Sequence, residues 1–159
     1  MICELLKGQP MTSDGGMYLL PDQLEPDLER VQAYWNGLKR GGNDIPFWDD
    51  VKFSMQARLA RDVILIEAFE DPLRFRFDLV GDDITRRYGT AITGKFTDEI
   101  DLHPPTDHLT GQCRATVERR APTYFRHAPA GGGTGYSRLI LPLWGNGRIE
   151  MLIGAVCFR

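Results

Sequence analysis

Three histidines are the residues of this chain best suited to hold a metal ion or a haem iron. A single neutral imidazole can ligate haem iron, so His108, near the start of a predicted helix, and His127, in a predicted strand, are the candidates. His103 precedes Pro104-Pro105 and is expected in a loop. The three lack the spacing of a metal site. We interpret them as solvated side chains, with haem as the alternative, and predict no metal site.

Two further features could bind a phosphate or a carboxylate. The segment Gly131–Gly135 is glycine-rich, but it lacks the Lys and Ser or Thr that end a phosphate-binding loop and does not lead from a strand into a helix. We expect a mobile loop between strands. Arg119, Arg120 and Arg126 could together recognise an anion through the guanidinium fork, although arginines at a helix end also complete its C-terminus.

Composition and charge argue against several classes of protein. Of the 159 residues, 42% are apolar and 26% are charged, which is typical of a globular domain. A net charge of -3 does not favour binding to nucleic acid or to a membrane surface. Cys3, Cys113 and Cys157 are widely spaced and odd in number, so no disulfide framework is predicted. Because we find no leader and no membrane-spanning apolar run, we expect a cytoplasmic protein.

The hydrophobic pattern predicts the order of the elements. Alternation from Leu73 to Val80 indicates a strand with one solvated face, and the apolar run before it indicates an antiparallel partner. Asn146-Gly147 favours a tight hairpin turn. The predicted strands are 63–69, 73–80, 123–128, 136–143 and 148–158, and the predicted helices between them are 82–88 and about 106–120. This order of two strands, a helical middle and three strands indicates an α+β fold.

The first 44 residues are predicted to lie outside this core. Residues 1–20 are glycine-containing and poor in apolar clusters, so we expect a flexible N-terminal arm. Residues 21–44 form an N-terminal helix, and 45–159 form the domain. The apolar face of that helix consists of Leu28, Val31, Trp35 and Leu38. This narrow face could cover the domain's own sheet or be the interface of a homodimer.

Six short motifs point to a known family. They are Tyr34-Trp35, Ile45-Pro46, Arg74-Phe75-Arg76-Phe77 with Gly81, Tyr88-Gly89, Thr93-Gly94-Lys95 and Leu141-Pro142-Leu143. Over residues 25–158 the chain resembles the PAS domain superfamily, and in particular the bacterial family of stand-alone PAS-like proteins with a preceding Trp-containing helix. The resemblance implies a five-stranded antiparallel sheet with helices packed on one face. It also implies a sensor of signal transduction rather than an enzyme.

The stretch Gly111-Gln112-Cys113-Arg114 is similar to the Asn-Cys-Arg core of flavin-binding photosensory PAS domains, in which the thiol forms an adduct with the flavin. The match is two residues long, and Ala115-Thr116-Val117 replace the residues that follow in that motif. A cysteine on the apolar face of a helix usually serves as a small core side chain. We favour this second interpretation. The cofactor is therefore unknown, with flavin and haem as the alternatives.

A ligand pocket, if the domain has one, should lie between the sheet and the helical middle. Small-molecule sites are mostly apolar with a few polar anchors, and Tyr88, Tyr124 and Arg126 are the expected anchors. The other expected lining residues are Phe75, Phe77, Phe96, Cys113, Val117, Leu139, Leu141, Met151 and Ile153. The same residues would equally fill a solid core, so both interpretations stay open.

Three functions are compatible with these features. We favour a stand-alone sensory or regulatory module that binds a small ligand, a signalling protein or both, and signals through protein–protein contacts. A small enzyme or carrier acting on an apolar metabolite would need a general acid or base, and the expected lining contains no carboxylate or histidine. The third function is a ligand-free structural adaptor. Because the last predicted strand ends next to Arg159, we expect any output to come from a partner.

Overall fold

The structure is a computed structural model that describes residues 18–51, 60–133 and 135–159. The predicted N-terminal arm lies almost entirely outside the described residues. The helices are α1 (Pro26–Gly37), α2 (Asp82–Tyr88) and α3 (Leu109–Arg119). The strands are β1 (Val63–Phe69), β2 (Arg74–Val80), β3 (Thr123–His127), β4 (Tyr136–Gly145) and β5 (Arg148–Phe158). Each element lies within a few residues of its predicted position.

The five strands form one antiparallel sheet in the order β2-β1-β5-β4-β3. Strands β1, β5 and β4 are therefore central, and β2 and β3 are the edges. Helices α2 and α3 contribute buried side chains to the core on one face of the sheet, which we call the inner face. Helix α1 packs on the opposite, outer face. This arrangement confirms the predicted α+β, PAS-like fold.

Both faces of the central strands are buried, because the sheet has a helical layer on each side. On the inner face, Ile64 and Ile66 of β1 pack with Ile84 of α2 and Leu109 of α3. On the outer face, the strand residues packed against α1 are Val63, Leu65, Leu139, Leu141, Leu143, Met151, Ile153 and Ala155. None of the helices within 18–51, 60–133 and 135–159 has both the length and the apolarity that crossing a bilayer requires.

Helix α1 begins at Pro26, where the missing N–H costs nothing, and acidic side chains in its first turn complement the helix dipole. Its Leu28, Val31 and Trp35 side chains are at most 4% exposed and pack on the chain's own outer face. The indole N–H of Trp35 donates to the Pro142 carbonyl at 2.8 Å. The predicted dimer interface is thus corrected: three of its four residues are covered within the chain, and Leu38 is only half-buried.

Gly81 joins β2 to α2. The backbone of the turn before β1, at Ala60 and Arg61, comes very close to it. Its N–H donates to the Val63 carbonyl at 2.8 Å. A Cβ at this position would lie 2.6 Å from the carbonyl oxygen of Ala60 and closer still to the backbone of Arg61. Because these atoms are backbone, they cannot move aside as a side chain would. Only glycine fits without displacing the turn.

Replacing Gly81 with alanine is therefore expected to lower the free energy of unfolding by about 1–3 kcal/mol, the usual cost of overpacking. Chemical denaturation of the full chain measures this change. The matched control is Gly37→Ala at the end of α1, where an added Cβ meets nothing within 4 Å. That variant should be neutral or more stable by up to about 1 kcal/mol, since alanine favours helix. Equal effects at the two sites would contradict the close approach.

Candidate functional site

The inner face carries a buried arginine next to the edge strand β3. Arg138 of β4 is fully buried, and among the described residues it is the largest one that is less than 2% exposed. Its Nε donates to Gln112 Oε1 at 2.7 Å, and its two terminal nitrogens donate to the carbonyl oxygens of Pro105 and Asp107, each at 2.9 Å. The guanidinium carbon also lies 5.0 Å from the centre of the Phe125 ring. Neutral acceptors and an aromatic face therefore hold this buried charge.

Gln112 extends the network from Arg138 to the neighbouring strand. Its Nε2 donates to Thr123 Oγ1 at 3.2 Å and to the Arg138 carbonyl at 3.1 Å. Thr116 Oγ1 lies 2.7 Å from Thr123 Oγ1 and donates to the Gln112 carbonyl at 2.9 Å. These four residues have no exposed surface. The network fixes α3 to β3 and β4 with good hydrogen bonds, which is the condition for burying polar groups without a large penalty.

Two ionisable groups of the inner core are protonated at neutral pH. Burial lowers the pKa of Arg138 to about 10, which still leaves the guanidinium charged at neutral pH. Burial raises the pKa of the Cys113 thiol to about 12. The reactive form of cysteine is the thiolate, so this thiol is a poor nucleophile. Cys113 is therefore a small core side chain, as predicted.

The predicted pocket residues do not form one cavity lining. Phe75, Phe77, Tyr88, Cys113 and Val117 lie together at the inner face. The residues at the outer face, under α1, are Leu139, Leu141, Met151, Ile153 and Tyr124. This corrects the prediction of a single pocket. Central strands that are buried on both faces have apolar residues at every position, so alternation does not reveal which residues face which layer.

Two predicted lining residues lie outside both cores. The Phe96 ring is at the edge strand β2, where the Arg74 guanidinium lies 3.8 Å from its centre and the Phe69 ring centre is 5.3 Å away. Arg126 is exposed on β3. The predicted anion-binding group of arginines is also separated, because Arg120 lies over the ring of Trp144, at the opposite end of β4 from Arg126.

The three histidines lie in different surroundings. His103 stacks on Tyr88 with 4.2 Å between ring centres, and hydrogen bonds to the Tyr88 carbonyl and the Asp101 carboxylate raise its pKa. His127 Nδ1 is 2.9 Å from Asp107 Oδ2. His108 has its ring centre 5.2 Å from that of Phe125. In the part of the chain that the structure describes, no three His, Cys, Asp or Glu side chains converge to hold a metal ion.

A polar cluster joins the residue before α1 to the last residue of the chain. The Glu25 carboxylate accepts hydrogen bonds from Tyr124 at 3.0 Å, from Arg159 at 2.6 Å and from the Ser137 hydroxyl. Burial acts against ionisation, but the hydrogen bonds from Ser137, Arg159 and Tyr124 outweigh it and hold the pKa of Glu25 at about 2. We call these four residues the Glu25 clasp. Its carboxylate is ionised at any physiological pH.

An open groove of about 540 Å³ lies beside the clasp. Its lining residues are Pro21, Gln23, Leu24, Glu25, Tyr124, Arg126 and Arg159. Two of the three predicted polar anchors, Tyr124 and Arg126, are thus brought together, but at the surface rather than inside the domain. Arg159 is paired with Glu25, whereas Arg126 has no ion-pair or hydrogen-bond partner among the described residues. Among the side chains that line the groove, the two arginines outnumber the single carboxylate.

Sequence reasoning missed the most unusual residue of the inner face. Arg138 interrupts an otherwise apolar or small-residue run in β4. A single charged residue in a central strand is a recognisable signal, because such a strand has no solvated face. The Gly131–Gly135 loop, in contrast, joins β3 to β4 as predicted, with positive φ angles at Gly131, Gly132 and Gly133.

No protein-family model matches this chain, and no curated protein matches it. A search of solved structures finds the structure of an RNA-binding Light-Oxygen-Voltage receptor, with a TM-score of 0.43 and 17% sequence identity. The match covers 76% of this chain and 36% of that receptor, so the chain spans about a third of the receptor's length. The PAS-like fold is established by the strand order and the helix positions rather than by this match.

Proposed function

We propose that this chain is a PAS-type regulatory module that signals through protein–protein contacts when a ligand occupies the groove beside the Glu25 clasp. The observation that supports this function is the double role of Glu25. Its carboxylate pairs with Arg159 in the groove, and Glu25 is also the residue that directly precedes α1. An anion that competes for Arg159 would release Glu25 and loosen the start of α1. Ligand binding and α1 docking are then linked.

The groove favours a ligand with an acidic group and an apolar part. The guanidinium groups of Arg126 and Arg159 suit a carboxylate or a phosphate, because they offer paired N–H donors. The Tyr124 hydroxyl lies at the same site, and Leu24 and Pro21 supply apolar surface. The inner core is a less suitable site, since Arg138 and Gln112 are fully buried there and already hydrogen-bonded to each other. We therefore place the ligand at the groove and the signalling partner at α1.

We also propose that the module is not an enzyme. General acid–base catalysis works best when the pKa of the group lies near the working pH. Glu25, with a pKa of about 2, is a weak base, and Cys113, with a pKa of about 12, is a weak nucleophile. These two values support a binding role for the groove and for the inner core. A small enzyme or carrier remains the alternative, and turnover of a retained metabolite would favour it.

The first test is native mass spectrometry of freshly purified protein together with its ultraviolet–visible spectrum. A bound mass that disappears on denaturation supports a ligand-binding module, and an absorption band would indicate flavin or haem. A bare mass, together with no thermal shift from carboxylate- or phosphate-bearing metabolites, would favour the structural adaptor. The mass of a bound compound, together with the thermal shifts, also shows whether the ligand carries the acidic group that the groove requires.

Replacing Arg126 with glutamine is expected to weaken ligand retention about tenfold or more, because a charge-assisted hydrogen bond contributes about 1.5–3 kcal/mol. Native mass spectrometry of the wild type and the variant measures the occupied fraction. The matched control is Arg114→Gln on the exposed side of α3, which removes the same charge away from the groove. Equal losses in the two variants, or none in either, would contradict the groove as the ligand site.

A further inference from the structure

Two carboxyl groups from different elements meet close to the first turn of α1. Asp62 directly precedes β1, and Asp83 is the second residue of α2. The backbone N–H of Asp83 donates to the Arg61 carbonyl at 3.1 Å, which places Asp83 beside Asp62. A hydrogen bond between two carboxyl groups requires that one of them carries a proton. Asp62 Oδ1 is buried and has no hydrogen-bond partner among the described residues. A buried carboxylate oxygen without a partner is costly, so the protonated form of Asp62 is favoured.

This pair adjoins the contact between α1 and the sheet. A void of about 10 Å³, the size of a single water molecule, is lined by Asp62 together with residues of α1 and β5. Asp27 and Leu28 contribute from α1, and Ala155 and Val156 contribute from β5. The N–H of Val156 donates to the Asp62 carbonyl at 2.9 Å. Water can therefore reach the Asp62 carboxyl group when the contact between α1 and β5 opens.

Charged and titratable groups face the pair from each element packed against it. On α2, Arg86 forms an ion pair with Asp83, and Arg87 Nε lies 3.6 Å from Asp83 Oδ2. The other groups are Arg61 on the adjoining turn, Asp27 on α1 and Cys157 on β5. While the pair holds one proton, the arginines balance the remaining charge on Asp83. Loss of that proton adds a second negative charge on the side that faces α1.

We propose that the Asp62–Asp83 pair is a proton-operated latch that controls the docking of α1 on the outer face of the sheet. While the pair holds a proton, Asp62 is neutral and its Oδ1 stays buried beside α1. When the proton leaves, two carboxylates face each other beside the start of α1, where Asp27 is already ion-paired with Arg30. Release of α1 then lets water solvate Asp62. The latch needs no ligand and goes beyond the function proposed above.

The direction of the pH effect follows from the two carboxyl groups. Burial, followed by the hydrogen bond and the charge of Asp83, raises the pKa of Asp62 to about 7, and the hydrogen bond from Asp62 lowers that of Asp83. A raised pKa in the docked state means that docking is strongest below the ordinary value of about 4 and weakens as the pH rises to about 7. The lowered pKa of Asp83 has the opposite effect on docking, but only at pH values below the ordinary pKa of an aspartate. Docking should weaken by up to about tenfold per pH unit across this range.

Hydrogen exchange of the Trp35 indole N–H in the full chain tests the latch, because this group donates to the Pro142 carbonyl while α1 is docked. NMR gives its protection factor, the exchange rate of a free indole divided by the observed rate at the same pH. Between about pH 4 and pH 7 the protection factor is expected to fall by tenfold or more in total, and to level off above that. A protection factor that does not change over this range would overturn the proposal.

Asp62→Asn is expected to abolish the pH dependence, because the amide is similar in shape and does not ionise. The matched control, Asp78→Asn on the exposed side of β2, should keep the wild-type profile. Asp83→Asn removes the charge that raises the pKa of Asp62 and should move the midpoint to lower pH, and this test remains if Asp62→Asn does not fold. A wild-type profile in Asp62→Asn, or an unchanged midpoint in Asp83→Asn, would show the latch to be wrong while leaving the proposed ligand groove unaffected.

Discussion

Replacing Arg138 with methionine is expected to lower the free energy of unfolding by about 3–5 kcal/mol. The substitution removes the donor that satisfies Gln112 Oε1 and the carbonyl oxygens of Pro105 and Asp107. Each buried acceptor left without a partner costs about 1–3 kcal/mol. Methionine regains some apolar packing and avoids the cost of burying a charge. The cost of leaving three acceptors without a donor exceeds that gain. Helix α3 and the segment before it hold these acceptors in place, so they cannot turn to other donors.

Urea denaturation of the full chain measures this loss. The matched control is Arg126→Met on the adjacent strand β3, where the side chain is exposed and the effect should stay within about 0.5 kcal/mol. Arg138→Lys keeps a charge but cannot reach three acceptors with one ammonium group, so its stability should fall between those of the wild type and Arg138→Met. If Arg138→Met were as stable as the wild type, the buried network would not be what holds α3 on the sheet.

Replacing Trp35 with alanine is expected to cost about 3–5 kcal/mol, as is usual for a buried aromatic side chain, and to act mainly on α1. Trp35 is 4% exposed and supplies both packing on the outer face and the hydrogen bond to the Pro142 carbonyl. Helix α1 has only three buried residues, Leu28, Val31 and Trp35. The free energy lost should therefore exceed what the contacts of Leu28 and Val31 supply. Helix α1 should then undock while the sheet stays folded.

Amide hydrogen exchange distinguishes local from global unfolding. In Trp35→Ala, amides of α1 should exchange at least about a hundredfold faster than in the wild type, whereas amides of β1 and β5 should change much less. The matched control is Trp48→Ala, because Trp48 is 42% exposed, and its effect should remain below about 1 kcal/mol. Equal acceleration across α1 and the central strands would mean that α1 is an inseparable part of the domain.

The order of the elements was predictable because each one has a strong local pattern. The alternation in β2, the Asn146-Gly147 turn between β4 and β5, and the Pro26 start of α1 are all encoded within a few neighbouring residues. The helix face of Leu28, Val31 and Trp35 was also recognised from spacing alone. What covers that face was not predictable, because a narrow apolar face suits the chain's own sheet and a second copy equally well.

The candidate site was predicted only in part. Tyr124 and Arg126 were expected to act together, and they do lie at one site, but they line the surface groove. The role of Arg138 was missed because its partners are two backbone carbonyls and a glutamine side chain 26 residues away. No pattern of residue types predicts that a backbone carbonyl will accept a hydrogen bond from a buried guanidinium. The same holds for Asp62 and Asp83, whose proximity depends on the turn at Gly81.

By itself, the sequence determined the helices, the strands and their α+β order, because local propensity and periodicity act over a few residues at a time. Only the tertiary structure decided which face each apolar residue covers. Strands β1, β4 and β5 are buried on both sides, so the type of an apolar residue does not indicate which helical layer it packs against. It also decided which polar groups meet. The Glu25 clasp joins residues 134 positions apart, and such a contact exists only once the fold has brought Glu25 and Arg159 together.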